Sequence, residues 1–89
     1  MNAATCTATW FRFDDVRSTS GGTLSTTSNS LDSCLDECQG NDACIFINFQ
    51  VSLQRCFIHT NAMDLNHLQT DDDYRHYVLI NRCDPSNGK

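Results

Sequence analysis

Long hydrophobic runs and the common catalytic motifs are absent from this sequence. No run of 18 apolar residues occurs, so we expect no transmembrane segment. The chain also has no glycine-rich phosphate loop, no dinucleotide-binding fingerprint and no nucleophile elbow. A domain of this size offers little room for a deep catalytic cleft. The sequence therefore predicts a protein that is not an enzyme and that needs no cofactor.

Positive charge is scarce and dispersed. The formal net charge is −5 at pH 7. The basic residues are scattered along the chain: Arg12, Arg17, Arg55, Arg75, Arg82 and Lys89. Binding to nucleic acid or to a sulfated polysaccharide requires clustered basic residues that displace counterions. We therefore expect no nucleic-acid partner, whereas a basic protein surface or a neutral glycan fits the charge better.

Six cysteines among 89 residues are the most informative feature of the composition. A small chain buries limited apolar surface, and an even cysteine count indicates three disulfides formed in an oxidising compartment. We therefore expect a secreted, extracellular or cell-surface domain. No signal peptide precedes Cys6, so we interpret Met1 as a recombinant start or as the start of a mature fragment. Six cysteines permit 15 pairings, and the residues alone do not choose among them.

The clearest local pattern begins at Ser30, a good helix N-cap residue. Apolar residues follow at positions i, i+3, i+4 and i+7, which predicts a helix over residues 31–39. These residues are Leu31, Cys34, Leu35 and Cys38. Gly40 then indicates the end of the helix, since glycine adopts positive φ readily at the C′ position.

Alternating or β-branched patterns predict strands on both sides of this helix. The five segments are residues 8–16, 23–27, 45–50, 55–59 and 74–82. In the first segment, Phe11 and Phe13 share one face, which we expect to lie in the core, and Trp10 lies on the other. In the last segment, we expect Tyr77 in the core and His76 at the surface.

Residues 60–73 show little periodicity, and we expect a long loop there. Met63, Leu65 and Leu68 are its expected apolar anchors. The acidic run at residues 71–73 is typical of a solvated turn. A cation site is the alternative, but the run lacks the alternating acidic spacing and the glycine of a calcium loop.

The cysteine spacing resembles a known family. The pattern Cys34-x3-Cys38-x5-Cys44-x2-Ile47-x-Phe49, followed by Cys56-x-Ile58, is similar to that of PAN/apple domains. That family usually has an aromatic residue where Ile47 stands, so core packing could differ there. Cys6 and Cys83 match the outer cysteine pair of the apple version. We therefore expect a single PAN/apple-like domain over residues 1–89, with its core at 6–83.

The resemblance implies a nested pairing of the cysteines. The expected disulfides are Cys6–Cys83, Cys34–Cys56 and Cys38–Cys44. It also implies an α+β fold, in which one short helix packs on a twisted antiparallel sheet of about five strands. We expect the core to include Phe11, Phe13, Leu31, Leu35, Ile47, Phe49, Ile58 and Val78.

The resemblance further implies a non-enzymatic extracellular module for binding and adhesion. Related domains occur in adhesive proteins, secreted proteases, growth factors and parasite surface proteins, and they bind proteins or carbohydrates. We expect a protein partner first, including another copy of this chain, and a carbohydrate second. The alternative is a secreted inhibitor or toxin-like effector that acts on a protease or receptor.

Candidate ligand-binding residues lie on the predicted hairpin return and the last strand. They are Arg55, His59, Tyr74, Arg75 and His76. Such positions combine aromatic rings with charged or hydrogen-bonding groups, as carbohydrate sites do. Cys34 and Cys38 together with His59 and His67 have no recognised zinc-ligand spacing, so we expect no metal site.

Overall fold

The computed structural model describes residues 8–82 of the chain. These residues form one α-helix, one 3-10 helix and one five-stranded sheet. The elements are β1 (Thr9–Ser18), β2 (Thr23–Leu24), α1 (Leu31–Gly40), β3 (Phe46–Gln50), β4 (Arg55–His59), the 3-10 helix (Ala62–Asn66) and β5 (Leu68–Asn81). The sheet has the order β1-β5-β3-β4-β2, and its pairings are all antiparallel. The predicted α+β fold is confirmed.

The hairpin of β3 and β4 agrees with the prediction, whereas the segment after it does not. The turn at residues 51–54 and the returning strand Arg55–His59 lie where expected. The long loop predicted over residues 60–73 is wrong, because a 3-10 helix and the first part of β5 occupy it. Met63 and Leu68 are exposed rather than anchoring, since the 3-10 helix buries Asp64 instead.

Helix α1 begins at a reciprocal serine cap. The Ser30 hydroxyl accepts a hydrogen bond from the Ser33 N–H at 3.2 Å, and the Ser33 hydroxyl accepts one from the Ser30 N–H at 3.3 Å. This capping box satisfies N–H groups that the first helical turn leaves without partners. The predicted N-cap is therefore confirmed.

The end of α1 differs from the prediction. Gly40 is the last helical residue, and Asn41 follows as an extended cap with φ −107°, so no positive-φ glycine ends the helix. The guanidinium of Arg82 instead donates hydrogen bonds to the carbonyl oxygens of Cys38, Gln39 and Cys44. A cation there binds carbonyl oxygens at the end of the helix and complements the helix dipole.

The serine- and threonine-rich segment before α1 is tied to the helix by one carboxylate. The hydroxyls of Ser25, Thr27 and Ser28 donate to Glu37 Oε1 at 2.6, 3.3 and 2.7 Å. These hydrogen bonds hold the pKa of Glu37 below its usual value. Because the side chains bond locally, the strand predicted over residues 23–27 is reduced to the two residues of β2.

Two disulfides lie in the core between α1 and the sheet. Cys34 pairs with Cys56, with 5.5 Å between their Cα atoms, and Cys38 pairs with Cys44, with 5.3 Å. Both pairings are confirmed. The third predicted disulfide, Cys6–Cys83, lies outside the described residues.

The apolar core surrounds these disulfides. Its buried members are Cys34, Cys38, Cys44, Ile47, Phe49, Cys56 and Ile58. Half-buried side chains pack around them: Trp10, Leu31, Leu35, Tyr77 and Leu79. This confirms most of the predicted core, including the position of Tyr77.

The expected core positions of Phe11 and Phe13 are wrong. These side chains are 59% and 48% exposed. They do share a face, since Phe11 is opposite Val78 and Phe13 is opposite His76 across β1 and β5. That face points away from α1, which packs on β3 and β4. The helix side of β1 is occupied by Trp10, and Val78 is only half-buried.

The two disulfides allow a matched test of the helix attachment. Replacing both Cys34 and Cys56 with alanine opens a link of sequence separation 22, whereas the Cys38/Cys44 double-alanine variant opens one of separation 6. Chain entropy gives losses of about 3 and about 2 kcal/mol in the free energy of unfolding. Urea unfolding followed by circular dichroism measures both. Equal losses, or no loss for the Cys34/Cys56 variant, would contradict this account.

Candidate functional site

The face of the sheet turned away from α1, here called the outer face, carries aromatic and polar side chains. Alternation places them there, because their chain neighbours Ile47, Phe49 and Ile58 point toward the helix. The central members of this face are Phe46, Asn48, Phe57, His59, Tyr74 and His76. Asn48, His59 and His76 are at most 2% exposed, although α1, the α-helix of residues 8–82, packs on the opposite face.

Four polar side chains on this face form one directed chain of hydrogen bonds. The Nδ1–H of His76 donates to Asn48 Oδ1 at 2.7 Å. The Asn48 amide donates to His59 Nε2 at 3.0 Å, and the Nδ1–H of His59 donates to Asp64 Oδ2 at 2.9 Å. This arrangement satisfies both groups of the Asn48 amide and fixes the tautomer of each ring. Among the described residues, His76 Nε2 has no hydrogen-bond partner.

Aromatic contacts enclose the two histidines. The Phe46 ring stacks on His59 with 4.2 Å between centroids, and it contacts His76 at 4.8 Å. Burial lowers the pKa of His76 to about 4, and the nearby His59 adds to this. Burial also lowers the pKa of His59, against the opposing effect of Asp64. Both rings are therefore neutral at pH 7 in the folded protein.

The Gly21-Gly22 turn covers the His59–Asp64 pair. Both glycines have positive φ, at 71° and 87°. A Cβ on Gly22 would lie 2.6 Å from His59 Nε2, and one on Gly21 would overlap the Asp64 carboxylate. Only glycine allows both this backbone conformation and this close approach.

A small depression of about 90 Å³ opens beside this chain. Its lining residues are Arg17, Ser18, Thr19, Gly21, Asn48, Phe57, His59 and Tyr74. The Arg17 guanidinium lies 5.2 Å from the centroid of the Tyr74 ring, within cation–π range. Arg17 also forms an ion pair with Asp71, with 3.2 Å between Arg17 Nε and Asp71 Oδ2. The two groups do not have the geometry of a hydrogen bond. The depression therefore combines a cation, a ring and buried polar groups.

The structure places four of the five predicted site residues on the outer face. His59 and Tyr74 line the depression, and His76 lies beneath the surface, so its predicted surface position is wrong. Arg55 is exposed at one end of the outer face. It lies opposite Gln50 of β3, and Gln50 in turn lies opposite Tyr74 of β5. Arg75 lies on the other face, with its guanidinium 3.6 and 3.4 Å from the carboxylates of Asp14 and Asp15. Their roles in ligand binding remain predictions.

Arg17 and Asp64 belong to this site but were not expected from the sequence. Asn48 is the polar residue within the apolar run of β3, and its amide is a hydrogen-bonding group of the kind that carbohydrate sites use. The double glycine indicated a turn but not its contact with His59. The burial of Asp64 depends on the 3-10 helix, which no pattern in the sequence predicted.

The acidic run at residues 71–73 is part of β5 rather than a solvated turn. Asp73 accepts hydrogen bonds from the Ser52 N–H and hydroxyl at 2.9 and 2.6 Å, and from the Gln50 amide at 3.1 Å. These bonds lower the pKa of Asp73. The run therefore fixes the turn between β3 and β4.

Exposed apolar side chains continue the outer face beyond His76. We call Phe11, Phe13, Val78 and Ile80 the apolar strip. Phe11, Phe13 and Ile80 are 59%, 48% and 51% exposed, and the two phenylalanine rings are 6.3 Å apart. Phe13 also contacts the buried His76 ring at 5.8 Å. The strip is thus continuous with the buried aromatic cluster.

Within residues 8–82, no group of three histidine, cysteine or acidic side chains is placed to hold a metal ion. The four cysteines described there are all in disulfides and offer no thiolate. No helix in that part of the chain is both long and apolar enough to cross a membrane.

The buried histidines predict a specific dependence of stability on pH. Since the pKa of His76 is lowered in the folded state, its contribution to stability is complete above its unfolded value near 6.5 and falls as pH drops toward 4. His76→Gln should reduce the slope of unfolding free energy against pH in this window by up to about 1.4 kcal/mol per unit.

Urea unfolding at a series of pH values measures this slope. His67→Gln, at an exposed position, is the matched control and should keep the slope of the original protein. An unchanged slope in the His76 variant would show that His76 is not buried in the neutral form.

A family model described as PAN domain matches residues 6–83. A comparison with curated proteins finds no match. PAN domains are generally non-catalytic modules that bind proteins or carbohydrates. The helix, the five-stranded antiparallel sheet and the two described disulfides agree with this match. The chain belongs to the PAN domain family.

Proposed function

We propose that this chain is a non-enzymatic extracellular module that binds a protein partner through the outer face. The apolar strip carries the proposal, since contiguous exposed apolar surface marks interaction sites. Its three exposed members lie on the paired strands β1 and β5. Phe13 rests against the buried ring of His76, so the strip is held on a rigid base.

The depression supports carbohydrate only as a second ligand class. Ligand sites usually enclose about 300–1,000 Å³. At about 90 Å³, the depression has room for one polar group rather than for a sugar ring. The Arg17 guanidinium could bind such a group, with the Tyr74 ring beside it. A glycan, or a side chain of the protein partner, would supply the group.

The His59–Asp64 pair does not favour catalysis. A carboxylate that orients a histidine is a familiar part of nucleophilic catalysis, in which the other ring nitrogen faces the nucleophile. Here His59 Nε2 accepts a hydrogen bond from the Asn48 amide. The pair lies under the Gly21-Gly22 turn and is almost wholly buried. These contacts support a structural role for the pair.

One observation favours the second candidate, an inhibitor or effector acting on a protease or receptor. Such a protein requires a rigid exposed loop. The turn at residues 51–54 presents Val51 and Leu53, which are 42% and 54% exposed. Asp73 holds this turn through Ser52, so the loop is anchored to β5.

Substitutions on the two surfaces discriminate between these candidates. The double variant Phe11→Ser/Phe13→Ser removes the aromatic part of the strip. Leu53→Ser likewise replaces an exposed apolar side chain with serine, but in the turn at residues 51–54. Extracellular proteins captured by the oxidised domain are identified by mass spectrometry, and their affinity is then measured by biolayer interferometry. We expect the strip variant to lose at least about tenfold in affinity, since buried aromatic side chains dominate interfaces. Leu53→Ser should retain it.

The reverse pattern, with affinity lost only in Leu53→Ser, would replace the proposal by the inhibitor candidate. A glycan array at physiological salt tests the remaining alternative. Saturable binding to one sugar family, lost in Arg17→Ala and retained in the strip variant, would make carbohydrate the primary ligand.

A further inference from the structure

Strand β1 forms one edge of the sheet that residues 8–82 build. Among the described residues, its strand partner is β5 alone. Helix α1 packs on β3 and β4, away from this edge. The unpaired N–H and C=O groups of a long edge strand can pair with another strand. At ten residues, β1 is five times as long as β2, the opposite edge.

The side chains of β1 are compatible with a second copy of the same strand. Arg12 and Asp14 flank Phe13 and are both exposed, with side-chain exposures of 60% and 43%. Within one chain they form an ion pair at 3.0 Å. If two β1 strands pair antiparallel with Phe13 opposite Phe13 of the second copy, each Arg12 is opposite an Asp14. Opposite charges at such positions stabilise a strand pair.

We propose that two copies of this chain pair edge to edge through β1, in the register that places Phe13 opposite Phe13. A shift of two residues in one direction would place Arg12 opposite Arg12, and a shift in the other would place Asp14 opposite Asp14. Like charges directly opposite each other destabilise a strand pair. The charges therefore select this register from its nearest alternatives.

The geometry of β1 limits the extent of this pairing. Asp15 has a φ of 66°, and the register with β5 shifts between Asp14 and Val16. A bulge of this kind bends the strand and interrupts regular pairing. The regular segment runs from Trp10 to Asp14, so in this register only residues 12–14 of each copy pair, and the interface is small. Since each copy also carries a net charge of −5, we expect reversible association that depends on concentration.

The two-fold axis of this dimer is perpendicular to the sheet, so both apolar strips lie on the same side. The Phe13 ring of one copy then neighbours that of the other, and the strips become continuous across the two sheets. The dimer uses the backbone edge of β1, whereas the proposed partner contacts the outer face. Either interaction can therefore fail without the other.

Charge reversal provides the test. Arg12→Asp places Asp opposite Asp14 at both contacts, and Asp14→Arg places Arg opposite Arg12. In analytical ultracentrifugation over a concentration series, we expect the original protein to dimerise and each variant alone to do so at least about tenfold more weakly. An equal mixture of the two variants should dimerise as the original protein does, because every opposing pair is then attractive. Mixing changes nothing within a protomer, so recovery reports contacts between copies.

Asp36→Arg is the matched control for Asp14→Arg, since it changes the net charge equally at an exposed position on α1. It should dimerise as the original protein does. Circular dichroism confirms that every variant is folded. A strictly monomeric original protein, undiminished association of either variant alone, or a mixture that stays monomeric would each overturn the proposal. Affinity for the protein partner is measured separately on the same variants, which keeps the two proposals distinguishable.

Discussion

The covalent link between Cys34 and Cys56 is the constraint on which the rest of the fold depends. It fixes α1 to β4, the strand next to the sheet's short edge. Because side chains alternate along a strand, fixing Cys56 on the helix side also fixes Ile58 on that side and His59 on the other. The β3–β4 register carries this assignment to Ile47 and Asn48. One covalent contact thus decides which side chains build the core and which are left for the outer face.

The outer face is organised by hydrogen bonding rather than by a second apolar layer. A buried polar group is costly unless it has a partner, and the chain from His76 to Asp64 supplies partners in sequence. The cover over this chain consists of the Gly21-Gly22 turn and the 3-10 helix. Such a cover protects the histidines but does not extend over Phe11, Phe13 and Ile80, which are exposed. The exposed apolar strip begins where this cover ends.

Local patterns in the sequence predicted the elements that local interactions determine. The Ser30 cap, the helical stripe ending at Cys38 and the hairpin at residues 51–54 each depend on neighbours in the chain. The sequence did not predict which face of β1 lies in the core. Alternation shows that Phe11 and Phe13 share a face, but it does not show which face a distant helix covers. The buried position of His76 was missed for the same reason. Its partner Asn48 is 28 residues away, and no local pattern relates the two.

Asn48 sets the direction of the hydrogen-bond chain on the outer face. The oxygen of its amide accepts a hydrogen bond from His76, and the nitrogen of the same amide donates one to His59. Hydrolysis of that amide to a carboxylate exchanges a single nitrogen for an oxygen and leaves no donor toward His59. The His59 ring must then either turn its proton away from Asp64 or take up a second one, which brings a charge into the aromatic cluster. Deamidation at this one buried position would therefore change the protonation of His59 and its bond to Asp64, while His76 still donates to residue 48 and the side-chain volume stays nearly unchanged.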